Sequence, residues 1–74
     1  MEYLKNSEFL IQFGKNLKKI RESKGFTQAE LANDMAVEIS QISRIERGII
    51  NTSISTAHEI SIALKIETTD LFKF

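Results

Sequence analysis

The segment from Phe13 to Gly48 constrains the fold of this chain most, because start and stop signals for three helices lie within less than half of the sequence. The first helix is predicted to end at Gly25, and Ser7 is a suitable residue to cap its beginning. Apolar residues recur along this helix at spacings of four, four and three, which places them on one face. These residues are Phe9, Phe13, Leu17 and Ile20. The segment therefore begins with a long amphipathic helix.

Two short helices follow, with a turn between them. Thr27 and Glu30 have the spacing of a capping box, so the second helix is predicted to start at Gln28. The inner side of this helix is predicted to carry Leu31, Ala32 and Met35. The chain is then expected to turn near Ala36 and Val37.

The third helix is predicted to run from about Glu38 to Arg47 and to stop at Gly48. Ile42 and Ile45 lie three residues apart, so they define its inner face. The opposite face of this helix is therefore expected to be exposed.

The rest of the chain predicts a fourth helix, capped by Ser53, and a short final turn. The residues expected to face inward from the fourth helix are Ile54, Ala57, Ile60, Ala63 and Leu64. Thr68 or Thr69 is expected to cap the final turn, which carries Leu71 and Phe72. No segment alternates in the manner of a strand. The predicted fold class is therefore all-α, with five helices.

The length and composition of the chain limit the number of domains and the kinds of site that it can have. A chain of 74 residues makes one small domain, here residues 1–74 with residues 1–7 as an N-terminal tail. The absence of cysteine excludes disulfides and thiolate metal sites, and it is typical of a reducing compartment. No apolar run exceeds three residues, which argues against a signal peptide and a membrane span. We expect a cytoplasmic protein.

The charge is unevenly distributed although the net charge is zero. Residues 1–24 carry six basic and three acidic residues, a balance of +3, whereas residues 25–46 carry Arg44 against four acids, a balance of −3. The remaining residues balance. A neutral chain lacks the usual electrostatic signature of a nucleic-acid binder, so bulk attraction is expected to contribute less than in most such proteins.

Two motifs within these helices resemble the Cro/C1-type (XRE-like) helix-turn-helix family. The first, T-Q-x-x-L-A, is formed by Thr27, Gln28, Leu31 and Ala32. The second, I-S-x-I-E-x-G, is formed by Ile42, Ser43, Ile45, Glu46 and Gly48. The resemblance covers about residues 8–73, and in size the chain is similar to restriction-modification controller proteins and other stand-alone phage-type repressors. It implies a DNA-binding regulator whose third helix enters the major groove.

The geometry of the third helix indicates which side chains would contact bases. Because successive residues of an α-helix lie about 100° apart, Ser40 and Arg47 fall almost opposite Ile42 and Ile45. The family places the start of this helix deepest in the groove. The base contacts implied by the resemblance are Ile39, Ser40, Gln41, Ser43 and Arg44. Arg44 has the chemistry to donate two hydrogen bonds to guanine O6 and N7.

The resemblance also implies phosphate contacts and one structural ion pair. The residues at phosphate-contact positions are Thr27, Gln28, Arg47 and Asn51. In the family the glutamine that corresponds to Gln28 grips a phosphate and braces the recognition helix, although the residue would also suit any first helical turn. Arg47 is alternatively an ordinary solvated charge. Arg21 and Glu46 match a pair that joins the first helix to the third, and we assign them a structural role.

Four residues, at three places in the chain, depart from the family pattern. Ala36 stands where the turn normally has glycine, and Glu38 stands where serine or threonine usually caps the third helix. If the turn requires a positive φ, alanine costs about 1 kcal/mol there. Ile49 and Ile50 replace the basic residues that often follow Gly48, so this loop gives up attraction to phosphate.

The leading hypothesis is a sequence-specific regulator that binds double-stranded DNA as a homodimer. Two subunits would read half-sites about 34 Å apart in a palindromic operator. The exposed apolar candidates for the dimer contact are Ile62, Phe72, Phe74, Tyr3 and Leu4. No sensor domain, small-molecule effector or cofactor is expected, so control would depend on the concentration of the protein itself.

The alternative is a protein-interaction module that keeps the fold without specific DNA binding and uses Ile49 and Ile50 as a partner surface. An enzyme is not expected, because the chain has no glycine-rich phosphate loop, no cysteine and no paired carboxylates in an evident cleft. A chain of this size is also expected to lack a pocket of useful volume. His58 is the only histidine, so a metal site is not expected.

Overall fold

A computed structural model describes residues 5–74, and within them the chain is entirely helical, with no strand. The elements are α1 (Asn6–Ser23), α2 (Gln28–Met35), α3 (Ile39–Arg47), α4 (Ile54–Leu64) and a C-terminal 3-10 helix (Thr68–Phe72). The all-α prediction is confirmed, and the fifth predicted helix is the 3-10 helix. Tyr3 and Leu4, proposed as dimer contacts, lie outside the described residues.

The beginning of α1 differs from the prediction. Ser7 lies inside the helix, and the residue at the N-cap is Lys5, which makes no side-chain capping bond. The Phe9 N–H donates to the Lys5 carbonyl at 2.9 Å, so the first helical turn already includes Ser7. Ser7 would have to leave the helical conformation to act as a cap. The other end is as expected, with Gly25 in the left-handed region at φ 80°.

The capping box at the start of α2 is confirmed. The Thr27 hydroxyl accepts from the Glu30 N–H at 3.0 Å, and the Glu30 carboxylate accepts from the Thr27 N–H at 2.9 Å. The turn that follows is closed by a bond of 3.0 Å from the Val37 N–H to the Ala32 carbonyl. Ala36 in this turn adopts φ 56° and ψ 42°, so the turn does require a positive φ.

Replacing Ala36 by glycine is expected to raise the free energy of unfolding by about 1 kcal/mol, because glycine has no Cβ to be strained in the left-handed region. Urea denaturation followed by circular dichroism would measure the change. The matched control is Ala29→Gly on the exposed side of α2, where the same substitution should lower stability by about 0.5 kcal/mol. A loss of stability at both positions would contradict the strain assigned to Ala36.

α3 begins at Ile39, one residue after the predicted start, and Glu38 occupies the N-cap without a side-chain hydrogen bond. The helix ends at Gly48, which adopts φ 72°. The inner face of α3 is as predicted, since Ile42 and Ile45 are fully buried.

The cap of α4 is confirmed, since the Ser53 hydroxyl accepts from the Thr56 N–H at 3.0 Å. The prediction that Ile54 faces inward is wrong: its side chain is 89% exposed. The buried side of α4 consists of Ala57, Ile60, Ser61 and Leu64, with Ala63 partly buried. Ile54 lies about 60° around the helix beyond Ala57, on the flank of that side and not on it.

The cap of the 3-10 helix also differs from the prediction. Glu67 occupies the N-cap, and its N–H donates to the Asp70 carboxylate at 3.1 Å. The Thr68 hydroxyl instead lies 2.9 Å from the Ser61 hydroxyl of α4. The side-chain amide of Asn16 in α1 donates to the carbonyls of Asp70 and Leu71 at 3.0 and 2.9 Å, so the C-terminal helix is tied to α1.

A single core joins all five elements. Its fully buried large side chains are Leu17, Leu31, Ile42, Ile45, Ile60, Leu64 and Leu71. Phe13 is buried beside them, whereas Phe9, one helical turn earlier on α1, is 40% exposed. Met35 and Ile20 are partly buried and pack against the core. α1, α4 and the 3-10 helix thus form a base on which α2 and α3 are held.

Candidate nucleic-acid interface

The outer face of α3 presents a short row of side chains that have no neighbouring helix above them. Ile39, Ser40 and Arg44 are exposed. Gln41 and Ser43 lie on the flanks and are half-buried. The five residues predicted to contact bases therefore share the solvent side of one helix, with three of them fully presented.

The position of α3 depends on its close approach to α1 at Gly14. A Cβ atom added to Gly14 would lie within 2.7 Å of backbone atoms of Ile45 and Glu46. No side chain fits at this crossing, so the backbones of α1 and α3 meet directly. A second close approach occurs at Gly48, where an added Cβ would lie 2.6 Å from the Cα of Ile11.

A buried ion pair joins the same two helices. The Arg21 Nε and Nη2 atoms donate to the Glu46 carboxylate at 2.6 and 3.1 Å, and the two side chains are 7% and 3% exposed. A third bond runs from Arg21 Nη1 to the Phe26 carbonyl at 2.7 Å. The hydrogen bond with Glu46 raises the pKa of Arg21. Glu46 is therefore neutralised, although it lies on the helix that carries the exposed polar row.

Gln28 completes this network from α2. Its Nε2 atom donates to Glu46 Oε1 at 3.0 Å, across 18 positions of sequence. One amide proton is used in this bond, and the second proton and the Oε1 atom remain for another partner. Gln28 therefore connects the start of α2 to the end of α3 through the Glu46 carboxylate.

In this arrangement α2 and α3 are joined by a tight turn, and α3 is fixed to α1 while its outer face stays exposed. Residues 17–71 of the chain match the helix-turn-helix family model HTH_3. The chain is a helix-turn-helix protein. The resemblance to Cro/C1-type regulators is thereby confirmed, and the family is one of DNA-binding transcriptional regulators.

Known proteins similar to this helix-turn-helix protein include one regulator and two solved controller proteins. It is 35% identical over 60 residues to the HTH-type transcriptional regulator SlrR of Bacillus subtilis (strain 168), which covers 80% of this chain and 40% of SlrR. The chain thus spans well under half the length of that relative. The restriction-modification controller protein C.AhdI of Aeromonas hydrophila is 35% identical, with a TM-score of 0.83 over 85% of this chain and 96% of that one. The controller protein C.Esp1396I is 32% identical, with a TM-score of 0.79 over 88% and 86% of the two chains.

The four residues predicted to contact phosphate lie at three places in the helix-turn-helix protein. Thr27 and Gln28 are at the start of α2, where the Thr27 hydroxyl oxygen is already occupied by the capping box. Arg47 is exposed at the end of α3, and its Nε makes only a long bond of 3.4 Å to the Ser43 carbonyl. Asn51 is exposed in the loop before α4. Each of the four side chains keeps at least one hydrogen-bond donor that is not used within the protein.

Gly14 supports the outer face of α3 in this helix-turn-helix protein, although no motif in the sequence predicts that role. Its signal was a single glycine inside an otherwise helical pattern, which usually has a packing reason. The structure supplies that reason in the contact with α3. Gly14 therefore helps to position α3 against α1.

Other kinds of site have less support in the helix-turn-helix protein. Residues 5–74 contain no group of acidic or histidine side chains arranged for a metal ion, and no helix among them is long and apolar enough to cross a membrane. The His58 ring lies 3.4 Å from the Thr68 hydroxyl.

The expectation that no pocket of useful volume exists is wrong, since a groove of about 320 Å³ lies between α1, the loop before α4 and the 3-10 helix.

Proposed function

We propose that this protein is a sequence-specific transcriptional regulator that binds a two-fold symmetric operator as a homodimer, with α3 in the major groove. The observation that carries the proposal is the exposed outer row of α3. Glu46, the only acidic residue within α3, is buried in an ion pair with Arg21. A free carboxylate at that place would repel phosphate, whereas a paired one leaves the exposed positive charges of Arg44 and Arg47 unopposed on α3.

The side chains divide into base readers and residues that set register. In this proposal Arg44 donates two bonds to a guanine, and Ser40 either donates or accepts. Ile39, which is 49% exposed, offers only apolar contact, such as to a thymine methyl. Gln41 and Ser43 contact bases from the flanks of the same helix.

The phosphate contacts proposed for Thr27, Gln28, Arg47 and Asn51 would fix the protein on the duplex without reading sequence. Gln28 has a double function in this proposal. It holds Glu46 with one amide proton and offers the other proton to a phosphate, supported by the partial positive charge at the start of α2.

The narrower proposal is a stand-alone repressor or a controller of a restriction-modification system, supported by similarity to C.AhdI and C.Esp1396I at nearly full length of those chains. Such a regulator would act in the cytoplasm and would depend on its own concentration. Methyltransferase and endonuclease genes beside the gene for this chain would support the controller role.

A second candidate function is a protein-interaction module, which is favoured by the zero net charge and by Ile49, 59% exposed directly after the recognition helix. This candidate requires no duplex binding. It predicts a partner protein that is lost on Ile49→Ser, while the fold is retained.

The deciding experiment is selection of bound sequences from a random duplex pool with the wild type and Arg44→Ala. We expect a symmetric site in the wild type and, in the variant, a relaxed preference at one position of each half-site, equivalent to about 1–3 kcal/mol of lost discrimination. The matched control is Arg47→Ala, which should weaken binding to all sequences equally and reduce the salt dependence by about one phosphate.

No enrichment at low salt with the wild type would overturn the regulator proposal and favour the interaction module. An unchanged base preference in Arg44→Ala would instead overturn only the assignment of Arg44.

A further inference from the structure

One carboxylate beside the outer row of α3 is left without a partner. Glu38 immediately precedes α3, its side chain is exposed, and it makes no side-chain capping bond. Among residues 5–74 no hydrogen bond or ion pair involves its carboxylate. Two other acids of the helix-turn-helix are engaged, since Glu30 belongs to the capping box of α2 and Glu46 is bonded to Arg21. Glu38 therefore differs from them in having all of its acceptor capacity available.

The remaining acid of this part of the chain, Asp34, lies on a different side of the molecule. It is exposed near the end of α2 and lines a shallow depression that it shares with Glu59 and Ile62 of α4. Glu38 is instead followed directly by Ile39, the first residue of the proposed base-reading row. Of the four acids, Glu38 is thus the one that is both unpaired and beside the outer face of α3.

The backbone at Glu38 is held in place on both sides. The Gln41 N–H donates to the Glu38 carbonyl at 3.0 Å, within the first turn of α3. On the other side Val37 is partly buried against the core, and its N–H donates to the Ala32 carbonyl at 3.0 Å. The Glu38 side chain therefore starts from a fixed point beside the outer row.

A free carboxylate at a DNA interface needs a hydrogen-bond donor, because the phosphates only repel it. The base donors in the major groove are the N4 amino group of cytosine and the N6 amino group of adenine. Adenine also presents the N7 acceptor beside N6, and a carboxylate has no proton to offer to it. Cytosine is therefore the base that suits Glu38.

We infer that Glu38 is a specificity-determining residue that accepts a hydrogen bond from the N4 amino group of a cytosine in each half-site. The inference rests on the proposed DNA-binding function and adds one base to the operator. A site with the cytosine gains a hydrogen bond, whereas every other site meets an uncompensated negative charge, so the carboxylate also acts against wrong sequences. Six positions separate Glu38 from Arg44, about 9 Å along a helix. The cytosine is therefore expected at a different position from the guanine proposed for Arg44.

The test repeats the selection from a random duplex pool with Glu38→Gln and Glu38→Ala beside the wild type. Glutamine keeps the size of the side chain, but its amide can accept from N6 and donate to N7 of adenine. Glu38→Gln should therefore switch the preference at one position of each half-site from cytosine to adenine, by about tenfold in relative affinity. Glu38→Ala should lose the preference at that position. It should also bind sites that lack the cytosine about two- to fivefold more tightly than the wild type does, because the repulsion of phosphate is removed.

The matched control is Asp34→Asn, which removes the same charge from the side of the molecule that borders α4. It should leave the base preference unchanged at every position. Asp34 and Glu38 are both exposed, so none of these variants should unfold the chain, and circular dichroism would check this.

A purely structural role, in which the carboxylate stabilises the start of α3, predicts a lower melting temperature for Glu38→Gln with the base preference of the wild type. That result would overturn the inference. A wild-type site without a selected cytosine, or a cytosine preference that survives in Glu38→Ala, would overturn it as well, while the regulator itself stands. A wild type that enriches no sequence would instead be the failure of the proposed function.

Discussion

Replacing Arg21 by methionine is expected to lower the free energy of unfolding by about 3–5 kcal/mol, because the Glu46 carboxylate would remain buried without its cation. The Glu46 side chain is only 3% exposed, and Gln28 would be its one remaining side-chain donor. A loss of this size is a large share of the stability of a small domain. Urea denaturation at neutral pH, with the midpoint and slope both fitted, would measure it.

The exposed ion pair between Lys73 and Asp70 is the control for this prediction. Its distance is 2.9 Å, similar to that of the buried pair, but the lysine side chain is 71% exposed. Lys73→Ala should therefore cost less than about 1 kcal/mol. Replacing Arg21 and Glu46 together by apolar residues should recover part of the loss, since no charge is then left buried. A cost below 1 kcal/mol for Arg21→Met would show that the carboxylate is satisfied without the cation.

The parts of the fold that could be predicted are those fixed by residues close in sequence. The capping box of Thr27 and Glu30 needs only three positions, and the cap of α4 by Ser53 needs only the next helical turn. The inner faces of α2 and α3 were predicted correctly from the helical repeat. Leu31, Ile42 and Ile45 are the large apolar residues of that repeat, and all three are buried. Local chemistry was sufficient at these places.

The errors occurred where contacts between distant elements decide the outcome. Thr68 or Thr69 was predicted to cap the last helix, but the Thr68 hydroxyl contacts the Ser61 hydroxyl of α4, and the Glu67 N–H at the actual N-cap donates to the Asp70 carboxylate. Ile54 matched the inward repeat of α4, but it lies before the helix reaches the core.

The candidate site likewise has features that the local sequence predicts and features that depend on contacts between distant elements. The helical repeat was sufficient to place Ser40 and Arg44 on the outer side of α3. The pairing of Arg21 with Glu46 spans 25 positions and was implied by the family resemblance alone. The bond from Gln28 to Glu46 and the contact of Gly14 with α3 depend on how three helices meet, which no local pattern encodes.

Gly14→Ala is expected to lower the free energy of unfolding by about 3 kcal/mol, because the new methyl group would overlap the backbone of α3. Three backbone atoms of Ile45 and Glu46 lie within 2.7 Å of that position, and backbone cannot rotate away as a side chain can. The sign is diagnostic, since alanine in place of glycine inside a helix ordinarily stabilises it by about 0.5–1 kcal/mol. Thermal and urea unfolding would both report the change.

Gly25→Ala separates steric overlap from backbone strain. Gly25 has φ +80°, but nothing lies within 4 Å of an added Cβ, so only the left-handed conformation is penalised, at about 1–2 kcal/mol. Under the proposed function, Gly14→Ala should also weaken binding to the selected duplex under conditions where the chain is still folded, because α3 is displaced from α1. Gly25→Ala should leave that affinity nearly unchanged. Stabilisation by Gly14→Ala would contradict the close contact between Gly14 and the backbone of Ile45 and Glu46. The position of α3 would then have to depend on other contacts.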